Sequence, residues 1–191
     1  MKYIIFILIS TLFIACQRQL PYAPEAIALN NRAVSLLESK PDKAIQLLDS
    51  AHMLDSTYLL PLQNKVNLLI KNKRYIEGIT AIDQLLVQLK APEVWQMKGL
   101  LLYKTHDTQS ATYAFEKSLQ LYREQLVNGQ SNNKYASKYQ IGICLLLLGN
   151  YDEGIQLIEK YGKMIQQPKE KLDNIILHAQ DIPALVDELL L

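Results

Sequence analysis

Four stretches of this chain can be laid over one another, and their small residues Ala44, Gly78, Ala111 and Gly154 stand 34, 33 and 43 residues apart. A period of that size means one supersecondary unit per repeat, each too small to bury its own apolar face and each covering its neighbour's. The last step is nine residues longer than the first, which places an insertion around residues 122–134. That stretch includes Asn128-Gly129-Gln130-Ser131-Asn132-Asn133, a polar loop by composition, so the helix before it is expected to be extended. Small residues matter because two antiparallel helices cross closely only where a bulky side chain is missing. Gly99 opposite Ala111 is expected to be such a crossing, with Trp95 and Phe115 filling the space between neighbouring helices.

Each repeat reads as helix-turn-helix. Seven Gly and seven Pro in 191 residues are few, and 49% of the chain is apolar, which favours helices over short strands joined by tight turns. Local signals mark the same boundaries. Pro41, Pro92 and Pro168 sit where a first helical turn tolerates a missing N–H, Asp107 can cap the helix that holds Ala111, and Asn150 with Glu153 has the form of a capping box. Beyond the repeats, residues 168–191 offer one helix, a break at Asp181-Ile182-Pro183, and a last helix with Leu185, Leu189 and Leu190 on one side. A stack of repeats must cover its final apolar face, so a terminal cap is expected there.

Trp95, Gly99, Ala111, Phe115 and Leu119 resemble the tetratricopeptide signature in their spacing. Gly142, Gly149, Tyr151, Gly154 and Ile158 fall in the same frame, as do Leu62, Val66, Tyr75, Gly78 and Ile82. The first repeat, with Ala33, Ala44, Leu48 and Ala51, is about one residue short between its helices. The resemblance covers roughly residues 26–161 and implies an all-α, TPR-like α-solenoid of about four helix-turn-helix repeats over 25–167, with C-terminal capping helices over 168–191. It also implies that the first helix of each repeat lines a concave face where partners lie. The family's groove positions then fall on Asn30, Gln63, Asn67, Lys71, Gln96, Tyr103, Lys104 and Tyr139. Such amides, tyrosines and lysines suit hydrogen bonding to an extended peptide, although a helix also needs a polar face simply to meet water. The positions that would grip a C-terminal carboxylate read Asn30, Val34, Asn64, Glu93 and Met97, which does not support a carboxylate clamp. In the fourth repeat Tyr139, Ile143, Leu146 and Leu147 are too apolar to stay open, and Leu185 or Leu189 of the last helix is expected to cover them.

The N-terminus is of another kind. After Lys2, the run from Tyr3 to Ala15 is 13 residues long, short of the about 20 that a spanning helix needs. Phe13-Ile14-Ala15-Cys16 resembles a lipobox, with Phe13 where Leu, Val or Ile usually stands. The resemblance implies a lipoprotein signal peptide over 1–15, acylation of Cys16, and a short tether over 16–24. An ordinary secretory signal or an uncleaved anchor is the alternative. Gln17-Arg18-Gln19 carries no acid, and lipoproteins sent to the cell surface in some phyla look as if they need one there. The expected location is therefore the bacterial cell envelope, lipid-anchored, on the outer membrane facing the periplasm.

Little suggests catalysis. His52, His106 and His178 are far apart, without the Cys, Asp or Glu spacing of a metal site, and no P-loop or nucleophile elbow occurs. Cys144 lies in the apolar run 141–148 and reads as a buried, inert thiol. A net charge of +1 without a basic cluster argues against nucleic acid. No catalytic residue, metal or cofactor is expected. The leading expectation is a membrane-anchored adaptor that holds another protein or peptide. The alternatives are an accessory lipoprotein that captures peptide or glycan fragments, and an enzyme with an unrecognised site.

Overall fold

The structure is a computed structural model that describes residues 22–190. The expected signal segment, Cys16 and most of the tether lie outside the described residues. Among these the chain is entirely helical: α1 (Pro24–Val34), α2 (Pro41–Leu54), α3 (Leu60–Lys71), α4 (Tyr75–Gln88), α5 (Pro92–Lys104), α6 (Thr108–Val127), α7 (Lys134–Leu147), α8 (Tyr151–Met164), α9 (Lys169–Leu177) and α10 (Ile182–Leu190). From α3 onward neighbouring helices pack in succession, the solenoid-like repeat arrangement that the sequence period implies. Contacts divide the chain into two compact units, residues 1–58 and 59–191, so the expected repeat region 25–167 is shared between them.

In the first unit α1 and α2 form a hairpin around Ala26, Ala33, Ala44 and Ala51, all fully buried, with Leu48 between them. Its open end is tied shut. The Ala23 N–H donates to Asp55 Oδ2 at 2.9 Å, and the Tyr22 and Tyr58 rings stack with centroids 4.6 Å apart. Bonds from the Thr57 hydroxyl and the Ala23 N–H hold the Asp55 carboxyl below its ordinary pKa.

In the second unit α3–α4, α5–α6 and α7–α8 are paired, with α4 packing on α5 and α6 on α7. The sequence dictates this through buried residues at helical spacing. In α4 these are Gly78, Ala81, Ile82 and Leu85, and in α6 Ala111, Ala114, Phe115, Ser118, Leu119 and Tyr122. Helix α7 differs, because every residue from Ile141 to Leu147 is buried. A helix covered on all sides needs several neighbours, and α7 has α6, α8 and α10.

Small residues sit where helices approach most closely. A Cβ at Gly99 would fall within 2.5 Å of Phe115 Cδ1, so the missing side chain makes room for the Phe115 ring, which is 2% exposed. Ala111 is buried one turn away on the same face of α6. Between α7 and α8 the contact is backbone to backbone: a Cβ at Gly142 would lie 3.0 Å from the Gly154 carbonyl oxygen, and one at Gly154 would lie 3.0 Å from that of Gly142.

The turns inside the three pairs of the second unit share one geometry. Lys73, His106 and Gly149 each adopt a left-handed backbone, with φ of 57°, 66° and 83°. The next N–H in each case reaches back five residues: Arg74 to Leu69 at 2.8 Å, Asp107 to Leu102 at 3.0 Å and Asn150 to Leu145 at 2.8 Å. This is the Schellman closure of a helix C-terminus, here repeated at the sequence period. Capping at the following helix is more varied. Asp107 accepts from the Ser110 N–H at 3.0 Å as expected, and Pro41 and Pro92 open α2 and α5. Asn150 is the N-cap of α8 but makes no side-chain capping bond, and Pro168 precedes α9 rather than occupying its first turn.

The insertion lengthens α6 to 20 residues, as expected. The C-terminal half of α6 packs Leu119 and Tyr122 against Ile141, Cys144 and Leu145 of α7.

Two outcomes follow. Gly99→Ala should lower the unfolding free energy in urea by about 1–2 kcal/mol, because the clash with a locked aromatic ring outweighs the roughly 1 kcal/mol of gained helix propensity. His106→Gly should raise it by up to about 1 kcal/mol by relieving a left-handed residue that carries a Cβ; a loss of stability would contradict the turn geometry.

Candidate binding groove

The final helix defines the site. Leu185 and Val186 of α10 are fully buried in the cluster that holds Tyr139, Ile143, Leu146 and Leu147, which is the covering expected for that apolar face. Packing on both α5 and α7, α10 occupies part of the face formed by the first helices of the pairs. Lys104 Nζ at the end of α5 binds Asp187 Oδ1 at 2.6 Å, and this bond raises the Lys104 pKa. Both groups reach water, so the pair stabilises by at most about 1 kcal/mol. Its larger consequence is positional, since it sets the edge of α10 against α5.

Beyond that edge the face stays open. A groove of about 950 Å³ is lined by Asn67, Ile70 and Lys71 of α3, Lys73 of the following turn, Tyr75 at the start of α4, Met97 and Lys104 of α5, and Asp187, Leu189 and Leu190 of α10. Lys71, Lys73 and Lys104 stand on its rim with Asp187, which pairs with Lys104, while Ile70, Met97, Leu189 and Leu190 supply an apolar floor. A site of this size and mixture suits a polypeptide segment that offers carboxylates and apolar side chains together.

Three of the expected groove residues, Asn67, Lys71 and Lys104, come together here. Tyr103 is half-buried and packs against the main core, and Gln63 is exposed on α3 one turn before Asn67, outside the groove wall. The other three are buried. Asn30 is 2% exposed in the first unit. Gln96 points its Nε2 at Cys144 Sγ, 3.7 Å away, inside the α5–α7 packing. Tyr139 is 4% exposed, its hydroxyl has no hydrogen-bond partner, and burial pushes its pKa up to about 12. Gln96 and Tyr139 are therefore core residues, because helices that follow close over them, and Asn30 is buried as well. Lys73, Tyr75 and Asp187 were not expected. The signal for Asp187 was faint, since only contact with α5 turns an acid on the capping helix into a groove residue.

Cys144 is a buried thiol. It donates to Ser118 Oγ at 3.4 Å, Ser118 donates in turn to the Pro92 carbonyl at 2.8 Å, and burial pushes the thiol pKa up to about 11. Among the described residues no group of three His, Cys, Asp or Glu side chains could hold a metal ion. None of the described helices is long and apolar enough to cross a membrane. Neither a protein-family model nor a curated protein matches the chain.

The thiol supplies a pH test. In a Cys16→Ala protein Cys144 is the sole thiol, and it should resist an aromatic disulfide reagent at pH 8 until the chain is unfolded. Its folded pKa lies above the about 8.5 of an unfolded thiol, so the unfolded chain releases the proton first. Stability should therefore fall as pH rises from about 8.5 through about 11, and a Cys144→Ala comparison should lack that part of the slope.

Proposed function

We propose that this chain is a tetratricopeptide-type adaptor lipoprotein, anchored through acylated Cys16 in the bacterial envelope on the outer membrane and facing the periplasm, and that it binds a partner protein rather than catalysing a reaction. The groove between α3, α5 and α10 carries the proposal, with Asn67, Lys71 and Lys104 on its wall beside Lys73, Tyr75 and the end of the capping helix. Its chemistry favours an extended segment of the partner. Amide and ammonium groups can bond to backbone carbonyls and carboxylates, the Tyr75 ring offers apolar area with a hydroxyl, and Met97 adapts to whichever side chain lies on it. The 13-residue apolar run ending before Cys16 supports the anchor, and the recurring small residues support the family.

Two measurements test this. In cells fed a fatty-acid probe the native chain should be labelled and Cys16→Ala should not; equal labelling of both would remove the anchor. In mild crosslinking from membranes the native chain should recover one protein in constant ratio. Lys71→Glu with Lys73→Glu should lower that recovery at least about tenfold, a change of about 1.4 kcal/mol. Undiminished recovery would place the partner elsewhere.

A further inference from the structure

The insertion that breaks the repeat spacing builds a second concavity of a different character, and it is independent of the groove. Between α5, the end of α6, the loop over 128–133 and the start of α7 lies a pocket of about 380 Å³. Its walls carry Glu93, Tyr122, Gln125, Gln130, Asn132 and Gln140, with no basic side chain. The loop that forms its rim is fixed at several points. The Gln130 N–H donates to the Gln125 carbonyl at 2.9 Å, the Ser131 and Ser137 hydroxyls lie 2.8 Å apart, and Asn133 Oδ1 accepts from the Tyr135 and Ala136 N–H groups at 3.0 and 3.1 Å.

One group in this wall lacks a full partner. Tyr122 is 1% exposed, and its buried hydroxyl makes no hydrogen bond of full geometry, the Glu93 carboxylate beside it being a marginal acceptor. Such a group is costly to bury, and native structures contain few of them. Burial, followed by the nearby Glu93 charge, raises its pKa, so the phenol keeps its proton and remains a donor. Around it stand the carboxamides of Gln125, Gln130, Asn132 and Gln140, each offering donors and an acceptor.

We infer that this pocket is a binding site for a small neutral saccharide, of one or two rings, whose hydroxyls pair with the Gln125, Gln130, Asn132 and Gln140 amides, the Tyr122 hydroxyl and the Glu93 carboxylate. Hydroxyl groups both donate and accept, which matches carboxamides better than any single-sign ligand does. An anion would meet Glu93 with no cation to offset it. An apolar ligand would leave the amides unpaired. The volume lies toward the small end of ligand sites, about 300–1,000 Å³.

The test uses the full chain, held in a detergent without a sugar headgroup and titrated with glucose, N-acetylglucosamine and maltose by calorimetry and saturation-transfer NMR. At least one sugar should bind saturably. Gln125→Leu with Gln140→Leu should abolish the signal while leaving the melting temperature of the sugar-free protein near that of the native chain. Tyr122→Phe should weaken binding about three- to tenfold without lowering that melting temperature, because it removes a hydroxyl that lacks a full hydrogen bond. Lys71→Glu with Lys73→Glu should leave sugar binding unchanged, which keeps this site separate from the groove. The inference is overturned if none of the three sugars binds, or if binding survives the double Gln variant. Destabilisation by Tyr122→Phe would also overturn it, by showing the hydroxyl to be engaged within the fold. So would binding of spermidine in place of the sugars with loss in Glu93→Gln, because the pocket would then select a cation.

Discussion

The second unit depends on how closely its helices can approach. At the α7–α8 crossing the Gly142 and Gly154 backbones face each other so tightly that a methyl group on either would press on the other's carbonyl oxygen. At the α5–α6 crossing a ring fills the gap that Gly99 leaves. These contacts bring large residues such as Phe115, Leu146 and Ile158 into full burial, each gaining about 1.5–3 kcal/mol from leaving water. A repeat of two short helices has little else to offset its loss of chain entropy, so the crossings set whether each pair forms.

From that packing comes the arrangement of the turns. Once two helices are pressed together, the chain must reverse within a few residues, and a single left-handed residue with a Schellman bond does this in the shortest length. Glycine suits the conformation, yet only Gly149 supplies it inside a pair, while Lys73 and His106 adopt it at a local cost. The packing of the pair overrides the preference of the residue. One consequence is that Lys73 stands at the lip of the groove, placed there by a turn whose first duty is to reverse the chain.

The groove and the polar pocket both come from departures from regular repetition. Helix α10 folds back on α5 and α7, covers the most apolar part of the first-helix face and leaves the remainder as a bounded groove. The insertion after Tyr122 lengthens α6 and adds a loop whose amides close a second cavity. A perfectly periodic stack would present neither, because each face would simply continue into the next repeat.

Composition pointed to the all-α class, the repeat spacing to the extended α6 and the close crossings of small residues, the apolar run 141–148 to the burial of Cys144, and the tetratricopeptide resemblance to the helix pairs. The tetratricopeptide resemblance, rather than periodicity, singled out Asn67, Lys71 and Lys104, which line one groove. Tertiary structure decided which helix faces stayed open. Asn30, Gln96 and Tyr139 have the residue types of a polar lining, yet they are buried, Gln96 and Tyr139 because neighbouring helices close over them. Whether a polar residue meets water depends on what packs against it from distant parts of the chain, and for Lys104 the deciding residue was Asp187, 83 positions away.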